Sequence, residues 1–332
     1  MFEERERLMD YVLDLTTITS GDAERVGEKG ARLGELLGRG FNVPAGFCVT
    51  ARACEYFIAE NGGIGRALAS LVEEGRVGSE AGPDGDLERI RCLFREARFP
   101  AGLRDAILAG YDALNGKGAS RETPVAVRSS CTTEDLPGAS FAGQYHSFLC
   151  VRGREALLER VKLTWASQWG RSISAYRTAC QCDFGDSRMA ILVQDMIPSE
   201  FSGVIFTANP VSSDAGQMVI NASWGLGESI VSGIVSPDTY VVEKGSFEVL
   251  EREISDKRLE VVDRPSGESG TVTVEVEPEK ASESTLMTAD VIELCALGLE
   301  IEEVYGFPQD IEWSSYGGEF YVLQSRPITT LK

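Results

Sequence analysis

At 332 residues, with 43% hydrophobic and 25% charged side chains, the chain is long enough for one large domain or two ordinary ones and is composed like a folded globular protein. Its 32 basic and 52 acidic residues leave a net charge of −20, which argues against duplex nucleic acid or an anionic membrane as the main partner, because either needs a basic field. The single histidine, His146, excludes an intramolecular Ser-His-Asp triad, a multi-histidine zinc site and a two-histidine relay.

The first residues, "MFEERERLMDYVLDL", are acidic and lack the apolar stretch of a signal peptide, and no run reaches the roughly 20 apolar residues of a membrane span. The eight cysteines are scattered, and Cys180 and Cys182 read as ordinary thiols. A cytoplasmic protein is expected. Residues 22 to 50 read as loop, helix, turn and strand: Leu33, Leu36 and Leu37 form the apolar stripe, Gly40 ends it, and Pro44 to Gly46 turns into "FCVT". Helices follow in "ARACEYFIAENG", in "LERIRCLFREARF" after the surface loop "GSEAGPDGD", and in "GLRDAILAGYDALNG", which Gly116 stops. A short apolar strand, Pro124 to Val127, then delivers Arg128 into a loop of hydroxyls and glycines.

"HSFLCV" alternates like a strand, so His146 is given a structural or incidental role, and a long helix, "REALLERVKLTWASQWGRSISAYRTAC", comes next. From about Ser187 strands dominate: "RMAILVQDMI", "SGVIFTANP", "GQMVINASW", "PDTYVVEKG" and "FEVLEREI". A polar stretch near "DRPSGESG" joins them to the helix "TADVIELCALGLEIEEVYG", and the chain closes with two strands around a Tyr-Gly-Gly turn. The expected class is α+β in two lobes with a ligand-binding cleft between them. Residues 1–186 form the helix-rich lobe and 187–332 the sheet-rich one.

Several stretches carry chemistry. "EKGARLGEL" sets Lys29 and Gly30 just ahead of a helix, where a lysine opposes the helix dipole; Gly30 would let an anion approach the backbone, and the lysine either contacts phosphate or is a solvated surface lysine. Arg128 offers a fork of N–H groups suited to phosphate, with Ser129, Ser130, Thr132 and Thr133 as further donors and Gly138 and Gly143 closing the backbone over a ligand. Alternatively Arg128 pairs with Glu134 or Asp135 and pins a surface turn. In "DIEW" Asp310 and Glu312 share one strand face, as Gln324 and Arg326 do in "LQSRP". Direct pairing through a two-residue turn puts the two sets on opposite faces; an odd loop or a bulge unites them, with oxygen ligands for Mg²⁺ beside an arginine for phosphate. Gln194 interrupts the buried strand "AILVQDM", either to meet a base edge or to satisfy a neighbouring backbone group. "WGLGES" matches neither a Walker A nor a dinucleotide fingerprint and reads as a turn.

In order, "EKGARLGEL", "VAVRSSCTTEDLPGASFAGQ", "SGVIFTANP", "WGLGESIVSG", "SPDTYVV" and "DIEW…LQSRPIT" resemble the nucleotide-binding domain of the phosphoenolpyruvate synthase, pyruvate phosphate dikinase and rifampicin phosphotransferase family. The resemblance spans nearly the whole chain. It implies an ATP-grasp-like fold that clamps Mg-ATP and cleaves it to AMP and phosphate, passing a phosphoryl group through a histidine on a mobile swivelling domain. It also implies that Lys29, Arg128 and Arg326 act on the phosphates, that Gly143 and Ser147 belong to the covering loop, and that Gln194 lies near the adenine. Glu312 and Gln324 would hold Mg²⁺, with Asp310 close by. Cys131 and Ser147 stand where relatives usually carry Ala and Thr. The Gly-Gly…Ser/Thr-His-Ala signature of the swivelling domain is absent from the sequence, and His146 does not lie in such a motif. The expected partner is therefore a separate swivelling phosphohistidine domain or subunit. The alternatives are an autonomous ATP-dependent small-molecule phosphotransferase and a nucleotide-binding module without turnover.

Overall fold

The apolar stripes of the sequence become helices and antiparallel strands in a computed structural model that describes residues 10–73, 84–116, 123–131, 135–136, 139–140, 147–170, 189–329 and 331. The chain divides into two units, Met1–Glu35 with Ala45–Met196 and Leu36–Pro44 with Ile197–Lys332. The fold is mixed α and β. No helix among the described residues is long and apolar enough to cross a membrane.

The first unit begins with β1 (Val12–Asp14), α1 (Ala23–Gly38, whose last turn enters the second unit) and β2 (Gly46–Val49). Helices α2 (Ala51–Glu60), α3 (Gly62–Glu73), α4 (Asp84–Glu96) and α5 (Ala101–Asn115) follow. β3 (Val125–Cys131), the two-residue strands β4 (Asp135–Leu136) and β5 (Ala139–Ser140), β6 (Ser147–Val151), α6 (Arg154–Ser167) and β7 (Met189–Asp195) complete it. The main sheet runs β1-β2-β7-β3-β6. Every second residue of its central strands, Val125, Val127, Ile191, Val193, Phe47 and Val49, joins one core with Phe57, Phe94, Leu103, Ile107 and Trp165 from the helices. Period-two strand patterning against period-3.6 helix patterning buries both elements on that face. The Trp165 indole N–H donates to the Met189 carbonyl at 3.2 Å, so the largest core side chain also ties α6 to β7. Sequence texture grouped β7 with the strands that follow it, but its hydrogen bonds are to β2 and β3.

Helix α3 was not expected from its opening Gly62-Gly63; burial of Ile64 and Leu71 outweighs the poor propensity of that first turn. Helix α2 starts where expected, at Ala51, capped by Thr50, whose hydroxyl accepts the Ala53 N–H.

The second unit holds β8 (Phe201–Phe206), β9 (Gln217–Trp224), α7 (Glu228–Val231), β10 (Asp238–Glu243) and β11 (Val249–Glu253). β12 (Leu259–Asp263) and β13 (Thr271–Glu275) form a separate hairpin around the polar stretch that had read as a plain connector. Then come α8 (Pro278–Ala281), α9 (Thr288–Tyr305), β14 (Gln309–Tyr316) and β15 (Glu319–Pro327). The six-stranded sheet is ordered β11-β10-β9-β8-β14-β15. Helix α9 lies close on one of its faces: a Cβ at Gly298 would come within 2.8 Å of the Met218 side chain. On that face Trp313 meets Phe320 and Phe201 edge-on.

The "SPDTYVV" stretch is structural at Asp238. Its carboxylate accepts the Lys257 ammonium at 2.6 Å, the Ser255 N–H, and both the N–H and hydroxyl of Thr285. Lys257 spends its other two protons on the Ser255 and Glu283 carbonyls, so a wholly buried ion pair is fully hydrogen-bonded and fastens two connecting segments to β10.

Candidate functional site

In the first unit the candidate residues of the main sheet lie on the face turned away from the helical core. Ala126, Arg128 and Ser130 project there from β3, across from Gln194, Leu192 and Ala190 of β7. Arg128 stands directly opposite Ser147 of β6, so those two share the face, with Arg128 half-buried and Ser147 exposed. Gln194, two residues along from Leu192, is buried.

Helix α1 packs on this face through glycine. Gly27 interrupts the helix at φ 75° and ψ 165°, and a Cβ there would lie 2.2 Å from the Ser130 carbonyl oxygen. The close approach lets the Lys29 ammonium donate to the Ser129 carbonyl at 3.1 Å, fixing it to the strand that carries Arg128. Lys29 thus sits in the first turn after the kink rather than ahead of the helix.

Two expectations are corrected. Gly30 does not open the backbone to an anion: its N–H donates to the Ser130 hydroxyl at 3.0 Å, and a Cβ there would press on the Cys48 sulfur at 2.9 Å. Ser130 is no ligand donor either, since its own hydroxyl proton goes to the Val26 carbonyl at 2.6 Å, and Ser129 is buried. Thr132, Thr133, Glu134, Gly138, Gly143 and His146 lie outside the described residues.

Beside Gln194, Asp195 turns to the opposite side of β7. Burial raises its carboxyl to about 6, and its Oδ1 is enclosed without a hydrogen-bond partner among the described residues.

In the second unit the parity question is answered by a bulge. Tyr316 pairs with Glu319 across Gly317 and Gly318, whose φ values of 63° and 80° suit a two-residue hairpin turn. The register then slips between Glu312 and Trp313, leaving Leu323 as the extra residue. Glu312 consequently stands opposite Gln324 and Asp310 opposite Arg326, all four on one face. Asp310 Oδ2 accepts both Nε and Nη2 of Arg326, at 2.8 and 2.7 Å, which orients the guanidinium along the sheet.

Val204 of β8 lies on the other side of Glu312, and beyond it Asn221 of β9 donates to the Thr239 hydroxyl at 2.9 Å. The sequence reading missed Asn221 and Thr239. For Asn221 the signal was there, a polar residue on a strand whose other face, Met218, Ile220 and Ala222, is apolar; Thr239 gives none, since the other face of β10 carries the charged Asp238.

Glu312 and Gln324 supply a carboxylate and an amide carbonyl, hard oxygen donors that fit Mg²⁺. No group of three or more His, Cys, Asp or Glu side chains among the described residues is placed to hold a metal ion. A cation here would draw most of its ligands from phosphate and water, as Mg²⁺ commonly does.

The family model for the pyruvate phosphate dikinase AMP/ATP-binding domain matches residues 23–332. Among curated proteins, the chain is 40% identical to a probable phosphoenolpyruvate synthase of Pyrococcus abyssi, covering 94% of this chain and 42% of that one. It is 41% identical to a probable phosphoenolpyruvate synthase of Archaeoglobus fulgidus, over 97% of this chain and 42% of the relative. A rifampicin phosphotransferase of Streptomyces sviceus is 41% identical over 97% of this chain and 36% of its own length. The chain thus spans less than half the length of these relatives.

Proposed function

Because the chain belongs to the family of the pyruvate phosphate dikinase AMP/ATP-binding domain, we propose that it binds Mg-ATP and that the β-phosphoryl group passes to a histidine on a separate swivelling domain or subunit, with the γ-phosphoryl group taken by water as phosphate and AMP left behind. We read the fold as ATP-grasp-like, with a phosphate-binding set in the first unit and a metal- and phosphate-binding set in the second. The observation that carries this reading is the bulged pairing of β14 and β15, which aligns Glu312 with Gln324 and Asp310 with Arg326.

Phosphoryl transfer asks a protein mainly for positioning and charge neutralisation. Lys29 and Arg128 would supply positive charge to the phosphates from the first unit, with Ser147 beside Arg128 on the same face. Gly143 is assigned to the covering loop. Gln194 would meet the adenine edge. Arg326, its direction fixed by Asp310, would hold a phosphate oxygen, and Glu312 with Gln324 would hold Mg²⁺. When bound, Mg²⁺ supplies neutralisation of the charge shared by neighbouring phosphates.

The test is calorimetric titration with ATP, with and without Mg²⁺, followed by product analysis. Glu312→Ala is expected to keep the wild-type circular dichroism and to lose the Mg²⁺-dependent part of the affinity, about tenfold or more for a lost charge-assisted ligand. With β-phosphate-labelled ATP, AMP and acid-labile label should form only when a swivelling-domain protein is added, and the label should be on that protein. Unchanged Mg²⁺ dependence in Glu312→Ala would remove the metal assignment. Acid-labile label on this chain alone would make His146 the acceptor.

A further inference from the structure

In an unbroken helix the Gly30 N–H would donate to the carbonyl of Val26, four residues earlier. In helix α1 the non-helical Gly27 lies between the two groups. The Ser130 hydroxyl, arriving from β3, bridges them: it donates to the Val26 carbonyl at 2.6 Å and accepts the Gly30 N–H at 3.0 Å. A side chain inserted into the helical ladder is an identifiable cause of a kink, and the kink is here, at Gly27. Ser130 is fully buried, and the missing Cβ of Gly27 is what lets the β3 backbone approach.

Lys29 lies inside the bridged turn. Its ammonium reaches the carbonyl of Ser129, the residue between Arg128 and Ser130. One serine therefore sets the angle of the turn that carries the lysine, relative to the strand that carries the arginine.

We propose that Ser130 is a positioning residue for phosphate recognition: its hydroxyl wedge holds the α1 kink open and thereby aims Lys29 alongside Arg128. The proposal rests on the assignment of Lys29 and Arg128 to phosphate binding. Ser130 is fully buried and its hydroxyl proton goes to the Val26 carbonyl, so it offers no donor to a phosphate itself. An alanine at this position leaves a buried N–H and carbonyl unsatisfied, or lets the two close on each other. Closure would straighten the helix and turn Lys29 away from Ser129.

The experiment measures Mg-ATP and adenosine affinity for the wild-type chain, Lys29→Met, Ser130→Ala and the double variant. Adenosine lacks the phosphates and reports on the rest of the site. Ser130→Ala is expected to weaken Mg-ATP binding about tenfold, the scale of a lost buried hydrogen bond, with adenosine affinity unchanged. Added to Lys29→Met, it should cost nothing further, since its effect runs through Lys29. Equal losses for both ligands, or fully additive losses in the double variant, would overturn the proposal in favour of a purely structural serine. If Lys29→Met itself leaves Mg-ATP affinity intact, the phosphate assignment fails and this inference falls with it, whatever Ser130→Ala shows. Should Ser130→Ala fail to fold, Ser130→Cys, nearly isosteric with a weaker donor, must show a smaller ATP-selective loss; an equal loss for adenosine would again overturn the proposal.

Discussion

At the scale of single residues, burial changes what a side chain can do. Asp195 shows this through titration. Its carboxyl is raised from the ordinary 3.8 to about 6 by desolvation, so the folded state holds this proton more tightly than the unfolded chain does. The stabilisation is present at low pH, below the unfolded value, and is lost as the pH rises through about 6. Asp195→Asn cannot ionise. The variant should therefore be more stable than wild type at pH 7, by about 1 kcal/mol once solvent screening of this partly exposed group is allowed for, with the difference vanishing near pH 4. Urea melts at the two pH values check it, and an unchanged difference across the range would show that the carboxyl does not titrate in the window named. Lys29 makes the same point by geometry. In the sequence it is one of 32 basic residues, and its bond to the Ser129 carbonyl distinguishes it from a solvated surface lysine.

At the scale of elements, the hairpin β14–β15 turns on one residue. Alternation read from the sequence grouped Asp310 with Glu312 and Gln324 with Arg326, because side chains two apart share a strand face. It left open whether the two pairs meet. The two-glycine turn by itself would place Glu312 across from Leu323; the bulge advances the partner to Gln324. Deleting Leu323 removes the bulge yet leaves Gln324 as the next residue after Val322, and so still opposite Glu312. This variant is expected to keep Mg-ATP affinity within about threefold of wild type, because the cross-strand pairs survive and only local twist changes. A loss as large as that of Glu312→Ala would mean that the bulge itself, and not the pairing it permits, builds the site. Helix α1 is the counterpart on the first unit. Its apolar stripe was legible from Leu33, Leu36 and Leu37, but its kink depends on a serine 103 positions after Gly27, and local propensity carries no trace of so distant a contact.

At the scale of the whole molecule, the units are not consecutive in sequence: Leu36–Pro44 belongs with Ile197–Lys332. The reason lies at the edge of the six-stranded sheet. The Val322 N–H donates to the Asn42 carbonyl at 2.8 Å, and the Asn42 amide donates to the Phe320 carbonyl at 3.0 Å, so this short segment covers the outer edge of β15. Leu36 and Val43 are buried at either end of it. An exposed edge would otherwise leave backbone groups unpaired and open to association. A fragment of residues 197–332 is accordingly expected to be less stable than the same fragment with residues 36–44 tethered to it, by about 1–3 kcal/mol from restored hydrogen bonds and apolar burial. Chemical denaturation of the two fragments checks this, and coincident midpoints would show that the segment is held by the sheet without contributing to it.

The sequence by itself determined the family, most helices and strands, and the residue types at the candidate site. Periodicity is a local property, and the motifs "VAVRSSCTTEDLPGASFAGQ" and "DIEW…LQSRPIT" keep their chemistry in short, ordered runs. It under-read α3, whose glycine-led first turn is stabilised by core burial, and the β12–β13 hairpin, whose short strands mix Glu260, Asp263 and Glu275 with their apolar residues. Only the tertiary structure decided the register of β14 against β15, the place of β7 between β2 and β3, and the use of Ser130 and Gly30 for helix packing instead of ligand contact. Each of these depends on which strand or helix arrives from a distant part of the chain. A one-residue shift in register reverses the face of every side chain beyond it, and nothing in the local sequence weighs that alternative against the core it would expose.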